Sequence, residues 1–250
     1  MKRITILMLS LLILSCGEQT SDKAQVTTET VDPSEAEHTE QQPALQKVTI
    51  DFEQHKDILD IILLLPDTSF STWEWKSHDR ISWYNEIKEH GYYTDDDPNY
   101  FNQEYFEPTR AGYTIVDGSW SIHIYRTAEN SFIVITDDVV GDGNTLNFYE
   151  VVSNKIIEHT DSKKLFSGFR ELLKHGNTTG NCDETYELLN DPMFEYDFSK
   201  ENKIDIDGSW YFSEEEHINC LTGNTITYAF NPQEKKFHVE RIYWKPKQNN

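Results

Sequence analysis

Acidic residues interleaved with glycine can hold a hard cation, and one run offers that pattern: Asp137-Asp138-Val139-Val140-Gly141-Asp142-Gly143-Asn144. Ca²⁺ takes carboxylate and carbonyl oxygens from a loop that bends at glycine. Asp138, Asp142, Gly143 and Asn144 match the first, fifth, sixth and seventh places of such a loop. Val140 stands where an acid is expected, and Tyr149 where a bidentate Glu would close the site, with Glu150 one place beyond. Two readings follow: a calcium loop with Asp138, Asp142 and Asn144 as ligands, or a glycine-rich hairpin loop that binds nothing. The missing acids favour the second. Catalytic patterns are poor, with no Gly-x-Ser-x-Gly, no His-Glu-x-x-His and no phosphate loop. Ser167 falls inside an expected helix. His123 shares a strand face with Ser121 and Tyr125, where it can face a cleft, although a lone strand histidine more often serves core or surface. With 44 acidic residues in the chain, a carboxylate pair means nothing until geometry selects it.

The aromatic residues are a second candidate. Trp73, Trp75, Trp83, Tyr84, Tyr92, Tyr93 and Tyr100 crowd one region, with acids between. Tyr and Trp beside polar residues suit contact with protein or sugar, and Trp73, Trp75, Tyr92, Tyr93 and Tyr100 are the expected binding residues. The same residues suit a core beneath a long loop, which is the stronger of the two readings.

Three cysteines remain to be assigned. Met1-Lys2-Arg3 is basic, and Ile4 to Leu14 is apolar apart from Thr5 and Ser10. That run is too short to span a bilayer and has the layout of a secretory signal. It ends at Ile13-Leu14-Ser15-Cys16-Gly17, which resembles the lipobox of bacterial lipoproteins. Leu14 is bulkier than the residue often found there. The resemblance covers residues 1–17 only. It implies cleavage before Cys16 and acyl chains on Cys16. Each buried CH₂ contributes about 0.8 kcal/mol, and two chains make anchoring stable. Gly17 after the cysteine leans toward outer-membrane sorting in the best-known Gram-negative system. Cys182 and Cys220 are then an even pair in an exported chain, which suggests a disulfide.

Without Lys2 and Arg3 the mature chain keeps 20 basic against 44 acidic side chains, a formal charge of −24. Nucleic acid is repelled, since binding it needs a basic footprint; a basic protein partner is attracted. Residues 16–46 form an expected lipidated tether. From 17 to 46 there is no aromatic residue and Lys23 is the one basic residue, so too little apolar surface exists to fold. Residues 47–250 make one α+β domain.

The elements that must position the candidates follow from periodicity. Glu53–Leu65 reads as a helix ended by Pro66, and Ser77–His90 as a helix with Ile81, Tyr84 and Ile87 inward, Trp83 widening that face, and Gly91 past its end. Tyr92–Pro108 reads as a long surface loop. Ser119–Arg126 alternates, with Trp120, Ile122 and Ile124 on one face. Ser162–His175 is the clearest helical pattern. Glu214-Glu215-Glu216 reads as a solvated strand end. Asp117-Gly118-Ser119-Trp120 recurs as Asp207-Gly208-Ser209-Trp210, and Gly143–Phe148 is echoed by Gly223–Tyr228. The expected fold is therefore antiparallel β-meander sheet built from two related repeats, about 113–160 and 204–244, with three or so helices at the edge or on one face. Each repeated Trp should be the first inward anchor of its strand.

Together these features predict a lipid-anchored envelope protein that binds a partner without catalysis, of inhibitor or immunity type. The competing reading is an envelope hydrolase or calcium-dependent enzyme acting on glycan or peptide.

Overall fold

The computed structural model describes residues 46–247, apart from 71–72, 96–101, 116, 142, 160–164, 167, 177–180 and 191–193. The signal segment, Cys16, nearly all of the tether, Tyr100 and Asp142 lie outside the described residues. Among those residues twelve strands form three antiparallel sheets, accompanied by five helices. No helix among them is long and apolar enough to cross a membrane.

The first layer is helical. Strand β1 (Gln46–Thr49) pairs with β2 (Tyr92–Asp95). Between them run α1 (Lys56–Leu64), a 3-10 turn (Asp67–Phe70) and α2 (Ser77–His90). Helix α1 buries Ile58, Leu59, Ile61 and Ile62 and stops at Leu65, whose backbone is extended before Pro66, as proline requires of its predecessor. Helix α2 ends on Gly91 at φ 73°, whose N–H closes on the Ile87 carbonyl, a cap that glycine adopts without steric penalty. Its inward face differs from expectation: Ile81 is exposed, and Arg80, Trp83 and Ile87 are buried. Arg80 takes the inner place because its guanidinium donates to the carbonyls of Leu65 and Trp75 and to Asp67, and lies 4.5 Å from the Phe70 ring centroid.

The second layer is a six-stranded meander in sequence order: β3 (Asn102–Glu107), β4 (Arg110–Ile115), β5 (Gly118–Ala128), β6 (Ser131–Val140), β7 (Gly143–Val152) and β8 (Lys155–His159). The expected loop over Tyr92–Pro108 is thus mostly β2 and β3. Tight turns set the register. Ser153 and Asn154, at φ 48° and 60°, join β7 to β8, the left-handed pair that a two-residue hairpin demands. Both faces of this sheet are covered. Trp120, Ile122, Ile124, Val134 and Tyr149 pack with the helical layer, whereas Tyr125, Ile133, Ile135 and Phe148 pack with the C-terminal part of the chain. The alternation along β5 therefore separates two interiors, not core from solvent.

The third layer is the sheet β12-β11-β10-β9, made of β9 (Glu195–Asp197), β10 (Lys203–Asp207), β11 (Thr225–Asn231) and β12 (Lys236–Tyr243). Three short helices accompany it: α3 (Phe169–Leu173), α4 (Asp183–Leu188) and α5 (Glu214–His217). Two expectations fail here. Among the described residues the pattern over Ser162–His175 is helical at Leu165 and over α3, but not continuously. Gly168, with φ and ψ outside the helical range, precedes it, and Lys174 leaves it to bridge Leu221. Leu165, Phe166 and Leu173 still enter the core, so tertiary packing uses the apolar face without a continuous helix. Glu214-Glu215-Glu216 opens α5 instead of ending a strand; the Ser213 hydroxyl accepts the Glu216 N–H, and acids suit a helix start.

Cys182 and Cys220 are joined by a disulfide, with Cα atoms 5.6 Å apart. The two Asp-Gly-Ser-Trp segments sit differently. Gly118 opens β5 and Trp120 is fully buried, but Asp207 closes β10 and Trp210, in the following turn, is 50% exposed. The second tryptophan is therefore not an inward anchor. Its glycine admits the Phe194 ring instead: a Cβ on Gly208 would lie 2.7 Å from that ring.

Candidate functional site

The face of the six-stranded sheet that meets the third layer is apolar at one end and polar at the other. Register puts Gly112, Ser121, Asp137 and Leu146 in one row across β4 to β7, and His123, Ile135 and Phe148 in the next but one. Over the polar end stand Phe194, Tyr196 and Phe198, from β9 and its flanks. Between them lies a cleft of about 520 Å³, within the usual size of small-molecule sites.

Its floor is built by local sequence. Gly112 lacks a side chain, so the Tyr105 ring crosses β4 there; a Cβ on Gly112 would stand 2.3 Å from it. The Tyr105 hydroxyl is thereby brought into hydrogen-bonding contact with Ser121. The Ser121 Oγ also lies 3.0 Å from His123 Nε2. His123 is buried and stacks on Phe198 with ring centroids 4.1 Å apart. Burial, with Arg110 adding to it, pushes the imidazole down to about 3, so it is neutral at physiological pH. Arg110 is a strut between the sheets. It holds Glu107 through two hydrogen bonds of 2.8 and 2.7 Å and donates to the Ser199 carbonyl at 3.1 Å.

Asp137 is the unusual member. It is only 7% exposed, lines the cleft, and its Oδ1 has no hydrogen-bond partner among the described residues. Burial, and then the charge of neighbouring Asp138, push its carboxyl up to about 7. A buried ion is costly unless paired. An uncompensated buried carboxylate facing a cavity is thus an energetic liability that packing alone does not require.

The candidates named from sequence separate on this geometry. Asp137 and Asp138 are not in a loop: β6 runs on to Val140 and opens directly into β7 at Gly143. Asp138 pairs with Trp120 and Thr145 on the helical side, while Asn144 pairs with Val139 on the cleft side. Strand alternation therefore points Asp138 and Asn144 to opposite faces, where no single cation can touch both. Among the described residues no group of three or more His, Cys, Asp or Glu side chains could hold a metal ion.

The aromatic contact surface is likewise corrected. Trp73 and Trp75 stack at 6.1 Å and close on Phe70, Trp120 and Trp83, and Tyr93 is buried in the same cluster. Tyr92 is half-buried at the edge, with Lys47 over its ring. These rings form the helical-side core, as the stronger of the two readings expected. Asp137 was missed as a site because two adjacent acids suggest a turn. The signal that could have found it is the run Phe132–Val140, in which β-forming residues resume after the acids.

The chain matches no family model and no curated protein. A solved structure similar to it is a domain of an uncharacterized protein from Porphyromonas gingivalis W83, 11% identical, covering 74% of this chain and 99% of that one, with a TM-score of 0.46.

Proposed function

We propose that the chain is an exported envelope protein, anchored by lipid on Cys16 with an outer-membrane bias, whose folded part is a non-catalytic binding protein that takes its ligand in the cleft between the two larger sheets. The observation that carries the binding reading is Asp137, a buried residue that lines that cleft and whose fully buried Oδ1 has no hydrogen-bond partner among the described residues. Protein interiors pair their buried charges, so the missing partner is supplied by a ligand. Support for the anchor is the sequence of residues 1–17 alone. The acidic tether and the charge of −24 in the mature chain favour a basic protein partner on the folded surface. We also read β5–β8 and β10–β12 as copies of one ancestral meander, on the recurring motifs alone; a superposition that aligns Gly143 anywhere but on Gly223 sinks that reading.

The anchor is tested by labelled palmitate, which enters the wild-type chain and is lost with Cys16→Ala; label retained in that variant removes the anchor. Binding is tested by screening small fragments of mixed charge against the isotope-labelled protein. Saturable shifts centred on Ser121, His123 and Asp137 are expected. Hits that all map elsewhere overturn the cleft as the site.

A hydrolase reading rests on the His123–Ser121 contact. Register opposes it. Asp137 stands across from Ser121, and Ile135 across from His123, so the carboxylate lies beside the serine and not behind the imidazole as a triad needs. Ester hydrolysis of p-nitrophenyl acetate that disappears with Ser121→Ala would restore it.

A further inference from the structure

The binding reading leaves the ligand open, and the chemistry of the cleft narrows it. Besides Asp137, the charged side chains lining it are Glu104, Glu195 and Asp197, against the single cation Arg110. That cation is already engaged by Glu107 and backbone carbonyls. The charges lining the cleft therefore sum to a negative value, with Arg170 acting on Tyr196 and Lys200 and Lys245 on Asp197 from its margin, and an anionic ligand is opposed by the lining. The walls are aromatic: Tyr105 on the floor, with Tyr196 and Phe198 from the opposite sheet. Ring faces attract a cation and pack against an apolar stem.

We propose that the cleft binds an organic ammonium ion carrying an apolar group, with Asp137 as its counter-ion and the rings of Tyr105, Tyr196 and Phe198 around it. This rests on the cleft being a binding site. A divalent metal fits less well. The other three carboxylates lining the cleft belong to side chains that are exposed or only half-buried, on β3 and β9, and Asp137 alone is a buried ligand oxygen source. A neutral hydrogen-bonding ligand would leave the negative field unused.

The test uses three probes of one size, benzylamine, benzyl alcohol and benzoate, together with CaCl₂. Each is titrated at pH 8 into the purified full-length chain and its Asp137→Asn variant by calorimetry, with chemical shifts locating the site. The inference expects benzylamine to bind the cleft at least tenfold more tightly than benzyl alcohol, benzoate not to bind, and Asp137→Asn to erase the amine preference while keeping its circular dichroism spectrum. Benzyl alcohol binding there as well as benzylamine overturns the cation and leaves the binding cleft standing. Ca²⁺ binding lost with Asp137→Asn assigns a metal instead and likewise overturns it. No saturable binding by any probe up to about ten millimolar overturns this inference, and the fragment screen then decides the cleft separately. If Asp137→Asn unfolds, Tyr196→Ala takes its place, with the same loss of amine preference expected.

Discussion

The two faces of the six-stranded sheet differ in how they treat one buried charge each, Arg80 on the helical side and Asp137 on the cleft side. On the helical side the buried charge described above is paired, although Arg80 Nε and Trp83 Nε1 have no hydrogen-bond partner among the described residues. Trp120 Nε1 donates to the Ser69 carbonyl at 2.7 Å, the Ser69 and Tyr149 hydroxyls meet at 2.7 Å, and Arg80 donates to two carbonyls and Asp67. On the cleft side Asp137, next in sequence to Asp138, is as buried as those groups yet leaves an oxygen unpaired. The same strands and the same sheet carry both faces, so the difference does not come from local backbone. A closed interior pairs its charges because water cannot solvate them. An interior that leaves a carboxylate oxygen unpaired beside a cavity of about 520 Å³ carries a stability cost that the proposed ligand would offset.

The sharpest attack on that contrast removes the buried helical-side guanidinium. Arg80→Ala is expected to lower unfolding free energy by about 3–5 kcal/mol in urea titration, because it strips a buried hydrogen-bond network and its stacking on Phe70. A loss under about 1 kcal/mol, no more than an exposed ion pair contributes, would mean that the closed side is not held as described.

Asp137→Asn should do the reverse. The native carboxyl is pushed up to about 7 from 3.8, so between about pH 4 and 7 the folded state keeps a proton that the unfolded chain has lost. Its contribution to stability falls as pH climbs through that window and stays lost above it. At about 1.4 kcal/mol per pH unit, the variant gains at most on the order of 4 kcal/mol at pH 8, and little at pH 4. Thermal unfolding at both values checks this. A variant less stable than wild type at pH 8 would show that Asp137 is held by the fold after all.

Smaller effects refine the picture. Gly112→Ala forces the Tyr105 ring off β4, at a cost of about 1–3 kcal/mol for an overpacked contact, and should shift the Ser121 and His123 resonances while leaving Trp120 unmoved. Disturbance of Trp120 instead would mean that the two faces are not independent. Ser69→Ala should cost about 1–2 kcal/mol by leaving the Tyr149 hydroxyl short of a partner. That is a polar deletion that destabilises, set against one at Asp137 that stabilises, and matching signs would erase the contrast.

Much of the fold was legible before any coordinates. The span of α2, the turn at Ser153-Asn154, the alternation of β5 and an α+β meander all follow from periodicity and turn chemistry, which act over a few residues. Where local signals competed with packing, they misled. Gly168 leaves the helical range and breaks the expected run ahead of α3, and Arg80 displaced Ile81 from the inner face of α2. The calcium pattern failed because a motif of spacing assumes a loop, and strand register turned its members to opposite faces.

By itself the sequence determined the charge, the signal-like start, the candidate pairing of Cys182 with Cys220 and the strand-and-turn grammar, all of which are properties of composition or of near neighbours. Only the tertiary structure decided which side of β5 and β6 is a closed core and which a cleft, and thereby made Asp137, not its neighbour, the residue to test. That choice depends on two sheets meeting across residues some sixty positions apart in the chain, such as Asp137 and Tyr196, and no local pattern carries such a contact.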